Sequence, residues 1–414
     1  MKIIKIIFFL VVYSTILFSQ SSSTYTRNGI GDLNYTYSAR SLGIAQSGLA
    51  MLNDSYVELI NPASWSKLRL TRIEFSLVLN GVELSDNSNT AFYSDADFKG
   101  FTFAFPISAK YGIGFASGLL PYSRVSYQVV ESTNPIDPAV SNYTTSYTGE
   151  GGLSRLFMGA SYRLPFQWIL GATLEYYFGR QTYLSEVEFD NSSFRPSTYE
   201  TDYRSTGFGT TIGIISQNFA SLFNSETISN LRLGVSVNLI SDLDTDTSLT
   251  INPKTVADTI FSGRTKMHIP FRIAGGVSLE LSEKYNFNLD YIYQPWSEYT
   301  LGGVTSPNLR DVHRFALGFE YAKKVEPGST NWEQIKWRLG LSYELTQYII
   351  NKTDITQFSA TAGVSFPLGL GNSFDLGLEF ALRGTTESNL IKENFYRVNI
   401  GISFGELWFQ TVQR

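Results

Sequence analysis

The chain has 414 residues, a formal net charge of -5 from 32 Lys+Arg against 37 Asp+Glu, and no cysteine. That balance gives no electrostatic reason to expect nucleic acid as a partner, and the missing cysteines exclude a disulfide-stapled scaffold, a cysteine metal site and a lipid-anchored N-terminus. Aromatic residues make up 15% and charged ones only 17%, which suits a membrane barrel with interfacial aromatic girdles better than a soluble domain.

The chain opens with the basic head Met1-Lys2-Ile3-Ile4-Lys5, then an apolar stretch from Ile6 to Phe18, then Ser19-Gln20-Ser21. That order predicts a secretory signal peptide over residues 1–20. The stretch is shorter than the ~18 or more apolar residues a spanning helix needs, and no second long apolar run follows. Residues 21–68 do not alternate. They hold Gly29-Ile30-Gly31-Asp32, a small-residue stretch from Gly43 to Ala50, the pair Asn53-Asp54 and the triplet Asn61-Pro62-Ala63. Small side chains let backbone approach other chain closely, so this composition predicts a plug, or hatch, inside a lumen. A free tail would be richer in charge, Pro and Ser.

From about Arg69 to the end the chain alternates with period two. In Leu231-Arg232-Leu233-Gly234-Val235-Ser236-Val237-Asn238-Leu239 every odd position is apolar. Successive side chains on a strand point to opposite faces, so each segment has one apolar and one polar face. About 14 such segments are predicted, an even number as single-chain bacterial barrels have. The connections are expected to alternate in length. Short ones fall near Ser108-Ala109, Leu164-Pro165, Ser282-Glu283 and 368–371; long ones cover 80–95, 131–142, 184–204 and 240–266. The fold class is therefore an all-β transmembrane antiparallel barrel over residues 69–414, in the outer membrane of a Gram-negative bacterium, with its C-terminus and short turns periplasmic.

The polar face carries Arg232, Arg272, Glu280, Asp290, Arg314, Glu320, Arg338, Glu344, Asp375, Glu379, Arg383 and Arg397. A cationic side chain at mid-bilayer depth on the lipid face costs ~2–4 kcal/mol, so these residues are expected to face the lumen. The third strand begins Tyr111-Gly112-Ile113-Gly114-Phe115 and loses alternation at Ser117-Gly118-Leu119-Leu120-Pro121-Tyr122. Proline cannot donate to a ladder and glycine marks bends, so a kink is expected at Gly118, Pro121 and Tyr122.

Enzyme chemistry finds no footing. Gly401-Ile402-Ser403-Phe404-Gly405 fits G-x-S-x-G but lies inside an alternating strand, not a strand-to-helix elbow. The two histidines, His268 and His313, are far apart in sequence, so no histidine zinc site is expected. Asp242-Leu243-Asp244-Thr245-Asp246 reads as a solvated acidic loop, with weak calcium binding left open. Gly112-Ile113-Gly114 and Gly207-Phe208-Gly209 precede strands rather than helices, so no dinucleotide site and no cofactor is expected.

Gly43 to Ala50, Asn53-Asp54 and Asn61-Pro62-Ala63, together with 293–299 and 310–318, make the chain resemble the FadL-type long-chain fatty acid transporters. The ends, Tyr25 to Leu33 and Glu406 to Phe409, look like Bacteroidota-type relatives, one of which, PorV-like, serves type IX secretion. The resemblance implies a hatch formed by the N-terminal motifs and a lateral wall opening at the third-strand kink. It implies a channel for hydrophobic small molecules that partners the outer-membrane bilayer. The alternative is a secretion or assembly partner, or a structural barrel without transport.

Overall fold

The structure, a computed structural model, describes residues 23–135, 141–191, 193–223, 226–251, 258–323, 329–369 and 371–407. The signal-peptide segment and Trp408-Phe409 lie outside the described residues. Fourteen strands follow the alternating segments: β1 Thr71–Ser85, β2 Thr90–Ser108, β3 in two parts (Ile113–Pro121 and Ser123–Thr133), β4 Tyr143–Arg163, β5 Ile169–Phe189 and β6 Ser197–Ile215. They continue with β7 (Ile228–Ile240 and Leu243–Ile251), β8 (Asp258–His268 and Arg272–Leu281), β9 Tyr285–Gln294 and β10 Val312–Tyr321. The last are β11 Lys336–Ile350, β12 Thr353–Pro367, β13 Ser373–Arg383 and β14 Lys392–Glu406. Neighbours in sequence pair antiparallel, and β1 pairs with β14 from Thr71↔Glu406 to Ser85↔Lys392, which closes the barrel.

Closure puts the two faces of each strand in different solvents. In β7 Leu233, Val235 and Leu239 are exposed while Ser236 and Asn238 are buried. Arg232 shares the inward parity and donates to the Ser216 carbonyl at 2.6 Å. Outward aromatics gather at both edges of the apolar band. Tyr285 and Tyr321 (5.4 Å between centroids) mark the end that carries Thr71 and Glu406. Tyr291 with Phe315 and Phe380 with Tyr396 mark the other. Two aromatic edges around an apolar belt are what a bilayer's two interfaces select.

Beyond the second edge stands an outward row of charges in direct cross-strand register: Arg180↔Arg204, Arg204↔Asp246 and Asp246↔Arg264. The strands do not stop there. The expected long connections 80–95, 184–204 and 240–266 are largely strand. The β1–β2 turn is only 86–89, and β11 meets β12 through Asn351-Lys352 at φ +51° and +61°, as a two-residue hairpin requires. Alternation fades once lipid no longer selects it, but backbone groups still pair along the ladder. For the same reason Asp242 to Asp246 is not a calcium loop. Leu243–Ile251 is strand, and Asp244 and Asp246 pair with Lys266 (3.4 Å) and Arg264 (3.0 Å).

Inside, a ring of wall glycines meets the N-terminal segment. Gly234 opposes Gly276, Gly318 opposes Gly340, and Gly363 opposes Gly377. Side chains there would collide with Leu49 and Ala50, with Ile44 to Ser47, and with Ala39 to Gly43. The short helix α1, Ala39–Gly43, and the turns after it are thus held against bare backbone. Gly340→Leu should unseat residues 41–50 at a cost of at least about 1–3 kcal/mol, as overpacking does. The barrel should stay folded by circular dichroism while protease gains access to that stretch. Unchanged protease resistance would contradict the close approach.

Candidate functional site

Residues 23–68 reach inward side chains around the whole circumference. Arg383 donates to Asp32 (2.7 Å) and to Glu393 (2.8 Å). Glu320 takes Arg338 at 2.6 Å and Arg40 at 3.3 Å. Arg314 donates to the Ala45 carbonyl at 2.7 Å, and Asp290 accepts from the Leu49 amide at 2.9 Å. Register supplies much of this: Arg314 stands opposite Glu344, Glu320 opposite Arg338, Glu379 opposite Arg397 and Arg383 opposite Glu393. A buried charge is tolerable when it is paired and hydrogen-bonded. Arg272 lies over the rings of Tyr35 and Tyr122, while Glu280 is half-buried with no ion pair among the described residues.

The N-terminal motifs divide in role. Asn53 accepts from the Ser55 amide at 2.7 Å and Asp54 from the Ser55 hydroxyl at 2.8 Å, so this pair makes a local turn rather than a wall contact. Asn61 caps the 3₁₀ turn Pro62–Lys67 by accepting from the Ala63 amide at 3.1 Å. It also donates to the carbonyls of Leu49 (3.1 Å) and Ile214 (3.2 Å). Asn61-Pro62-Ala63 sits on β5 and β6 at Gly171 and Gly213, where a side chain would strike it.

One stretch of wall is unpaired. Phe101 to Ser108 of β2 pair with Ile113 to Leu119 of β3. Above that, 90–100 of β2 pair only with β1, and the second part of β3 pairs with β4 on one side alone. Asp32-Leu33 take the place of β2, pairing Asp32↔Arg124 and Leu33↔Ser123. The Ser23 amide donates to the Ser126 carbonyl and the Asn34 amide to that of Tyr122, both at 2.9 Å. Side chains cross the rest of the gap. Arg124 donates to Asp95 and pairs with Asp97 at 2.6 Å, and Lys99 donates to Asn34 at 2.7 Å. A cavity of about 520 Å³ opens on the gap and one of about 110 Å³ lies in the lumen; Asn34, Arg124 and Ser126 line both.

The break is made by Pro121, which has no N–H to give a ladder, and by Tyr122, which turns its buried ring edge-on to Tyr177 at 5.1 Å. On β4, Gly151 and Gly152 adopt φ of +105° and +142° to follow it. Gly118 is not part of the kink. It is paired with Thr102 on one side and Phe157 on the other, in unbroken ladder. The gap residues Asn34, Asp95, Asp97, Lys99 and Arg124 escaped sequence reading. Their signal was the acidic-basic run 95–99 and the Gly-Gly pair 151–152 inside alternating segments. Ser403 of the G-x-S-x-G stretch is buried in β14 beside Arg72 and Glu74; His268 meets Asp242 and His313 meets Tyr291, so neither histidine stands near it. A further cavity of about 520 Å³ lies at the loop end, between β3–β6 and residues 299–306.

The family model described as BamG matches residues 1–413. No curated protein matches the chain in sequence. Among solved structures it is similar to a Pseudomonas aeruginosa FadL homologue (TM-score 0.60, 12% identity, 90% of this chain and 99% of that one). It is also similar to the Pseudomonas putida toluene transporter TodX (0.59, 13%, 92% and 100%) and the Ralstonia pickettii toluene transporter TbuX (0.54, 14%, 90% and 99%). At these identities the likeness shows a shared fold, a FadL-type barrel.

Burial pushes the Asp32 carboxyl up, but the Arg383 guanidinium outweighs it and holds the group below the usual carboxylate range. A depressed value stabilises the seated segment above the unfolded pKa of about 3.9, and that stabilisation is lost as pH falls through the lower folded value. Asp32→Asn should therefore raise protease access to residues 23–40 at pH 7, and the difference from the unaltered chain should vanish well below pH 4. A difference that persists in acid would sink the assignment.

Proposed function

This chain belongs to the BamG family, and from the geometry of its barrel wall we propose that it is an outer-membrane channel, without catalytic activity, for hydrophobic small molecules of the long-chain fatty acid kind. Apolar molecules enter at the loop end, pass the N-terminal segment acting as a hatch, and leave sideways into the bilayer between the upper parts of β2 and β3. The end that carries Thr71 and Glu406 faces the periplasm in this reading. The observation that carries it is the unpaired wall, a break with a cavity on either side, filled by hatch residues and by the side chains of Arg124, Asp95, Asp97 and Lys99. Apolar solutes gain ~0.8 kcal/mol per CH₂ removed from water, so a greasy lateral route favours long chains over a watery one. The bilayer and the solute are the partners this requires, and no cofactor enters.

A second reading, a barrel that serves secretion or assembly of other proteins, draws on a different observation. The lumen is packed with paired charges, and two cavities in it measure only about 110 and 70 Å³. A wall held this full suits a scaffold as well as a closed channel.

The chain has no cysteine, so an engineered pair reports cleanly. Leu33 and Ser123 are direct cross-strand neighbours. Leu33→Cys with Ser123→Cys should form a disulfide that pins the hatch in the gap. Uptake of a labelled long-chain fatty acid by intact cells should fall severalfold on oxidation and recover with reductant. Uptake indifferent to the crosslink would remove the lateral route. No uptake in either state, with other outer-membrane proteins lost on deletion, would favour the second reading.

In the uncrosslinked chain, Arg124→Ala should loosen the gap, because it strips the largely buried Asp95 of its cation. Faster swelling of proteoliposomes in small solutes is the expected result.

A further inference from the structure

The loop-end cavity of about 520 Å³ has an unusual lining. Every aromatic side chain on it is a tyrosine, in a chain with 30 phenylalanines and 25 tyrosines. Tyr127 and Tyr183 lie 6.4 Å apart and Tyr183 meets Tyr203 edge-on at 5.9 Å, so the rings form a continuous panel across β3 to β6. Tyr147 and Tyr299 extend it. Phenylalanine would offer the same faces. What tyrosine adds is a hydroxyl: with Tyr199 the lining has six, none bonded to another group among the described residues and all open to the cavity rather than sealed from it. Gln181, on the same wall, buries its amide nitrogen behind the rings and takes no part in the lining's polar surface. Arg27, exposed at the edge of the cavity, lies over the Tyr147 ring at 5.0 Å, with no acidic partner among the described residues.

A saturated hydrocarbon would displace water from these polar groups and return no hydrogen bonds, which is unfavourable for buried donors and acceptors. The matching ligand has flat apolar faces for the rings, a rim of hydroxyls for the phenols, and an anion for the guanidinium. We propose that this cavity binds an acidic saccharide, a pyranose unit or two bearing a carboxylate that faces Arg27. The site is distinct from the wall gap and does not depend on the transport reading, since binding can be measured where nothing is transported.

The test is calorimetric titration of the full chain, purified in detergent, with digalacturonate, neutral cellobiose and decanoate as probes. Digalacturonate should bind saturably and more tightly than either of the others. Tyr183→Phe with Tyr203→Phe keeps the ring panel and removes two hydroxyls; it should weaken digalacturonate about tenfold with an unchanged melting temperature. Arg27→Gln should abolish the preference for digalacturonate over cellobiose. Decanoate binding more tightly than digalacturonate would overturn the proposal, as would tyrosine variants whose affinity stays within about twofold of the unaltered chain. Equal binding of cellobiose and digalacturonate by the unaltered chain would remove the role given to Arg27 and with it the acidic ligand.

Discussion

A bilayer offers no water to the backbone, so each wall N–H and C=O must find its partner in a neighbouring strand, and a spanning sheet must close on itself. This chain closes with β14 on β1 and then breaks the rule at one place, above Pro121. The free edge of β3 is not left bare. Asp32-Leu33 pair with it, and amides of Ser23 and Asn34 bond to its carbonyls. The N-terminal segment thus substitutes for the missing strand contact. That identity of roles ties the position of the segment to the integrity of the wall.

The same segment answers a second demand, that of charge. The inner wall holds arginines and carboxylates at low exposure, and cross-strand register alone pairs Arg314 with Glu344 and Arg397 with Glu379. Elsewhere the pairs become triads through the N-terminal segment, as Arg40 joins Glu320 and Arg338, and Asp32 joins Arg383 and Glu393. Removing the segment would leave the wall pairs Glu320–Arg338 and Arg383–Glu393 in place and take from each one further charged hydrogen-bond partner. The glycine ring works in concert by letting the segment's backbone lie flush with the sheet. Packing against the glycine ring and hydrogen bonds to charged wall groups both hold the segment in its seat.

The gap is closed by a different kind of contact from the interior. Arg124 is partly exposed and bridges Asp95 and Asp97 across the break. Such a pair contributes less than the interior triads. The weaker set of contacts lies on the lateral side, where an apolar molecule would leave, and the stronger set anchors the segment to the opposite wall. A hinge-like release at the gap needs fewer contacts broken than expulsion of the whole segment.

The alternating residues by themselves determined the barrel, its strand number, and which face of β7 meets lipid, because period two follows from strand geometry and lipid rejects charge. The small residues 43–50 likewise announced a segment that packs closely against other chain. Tertiary structure alone decided where the wall opens. Gly118 and Pro121 look equally kink-prone in sequence, yet only Pro121 lacks the amide that a ladder uses, and Gly118 keeps both neighbours. Strand ends were equally illegible, since beyond the lipid band pairing continues without alternation, as in Leu243–Ile251. The partners of Asp32, Arg40 and Arg124 lie between 27 and 351 positions away along the chain. Local pattern carries no information about such partners, because only closure of the sheet and its register bring those side chains within reach.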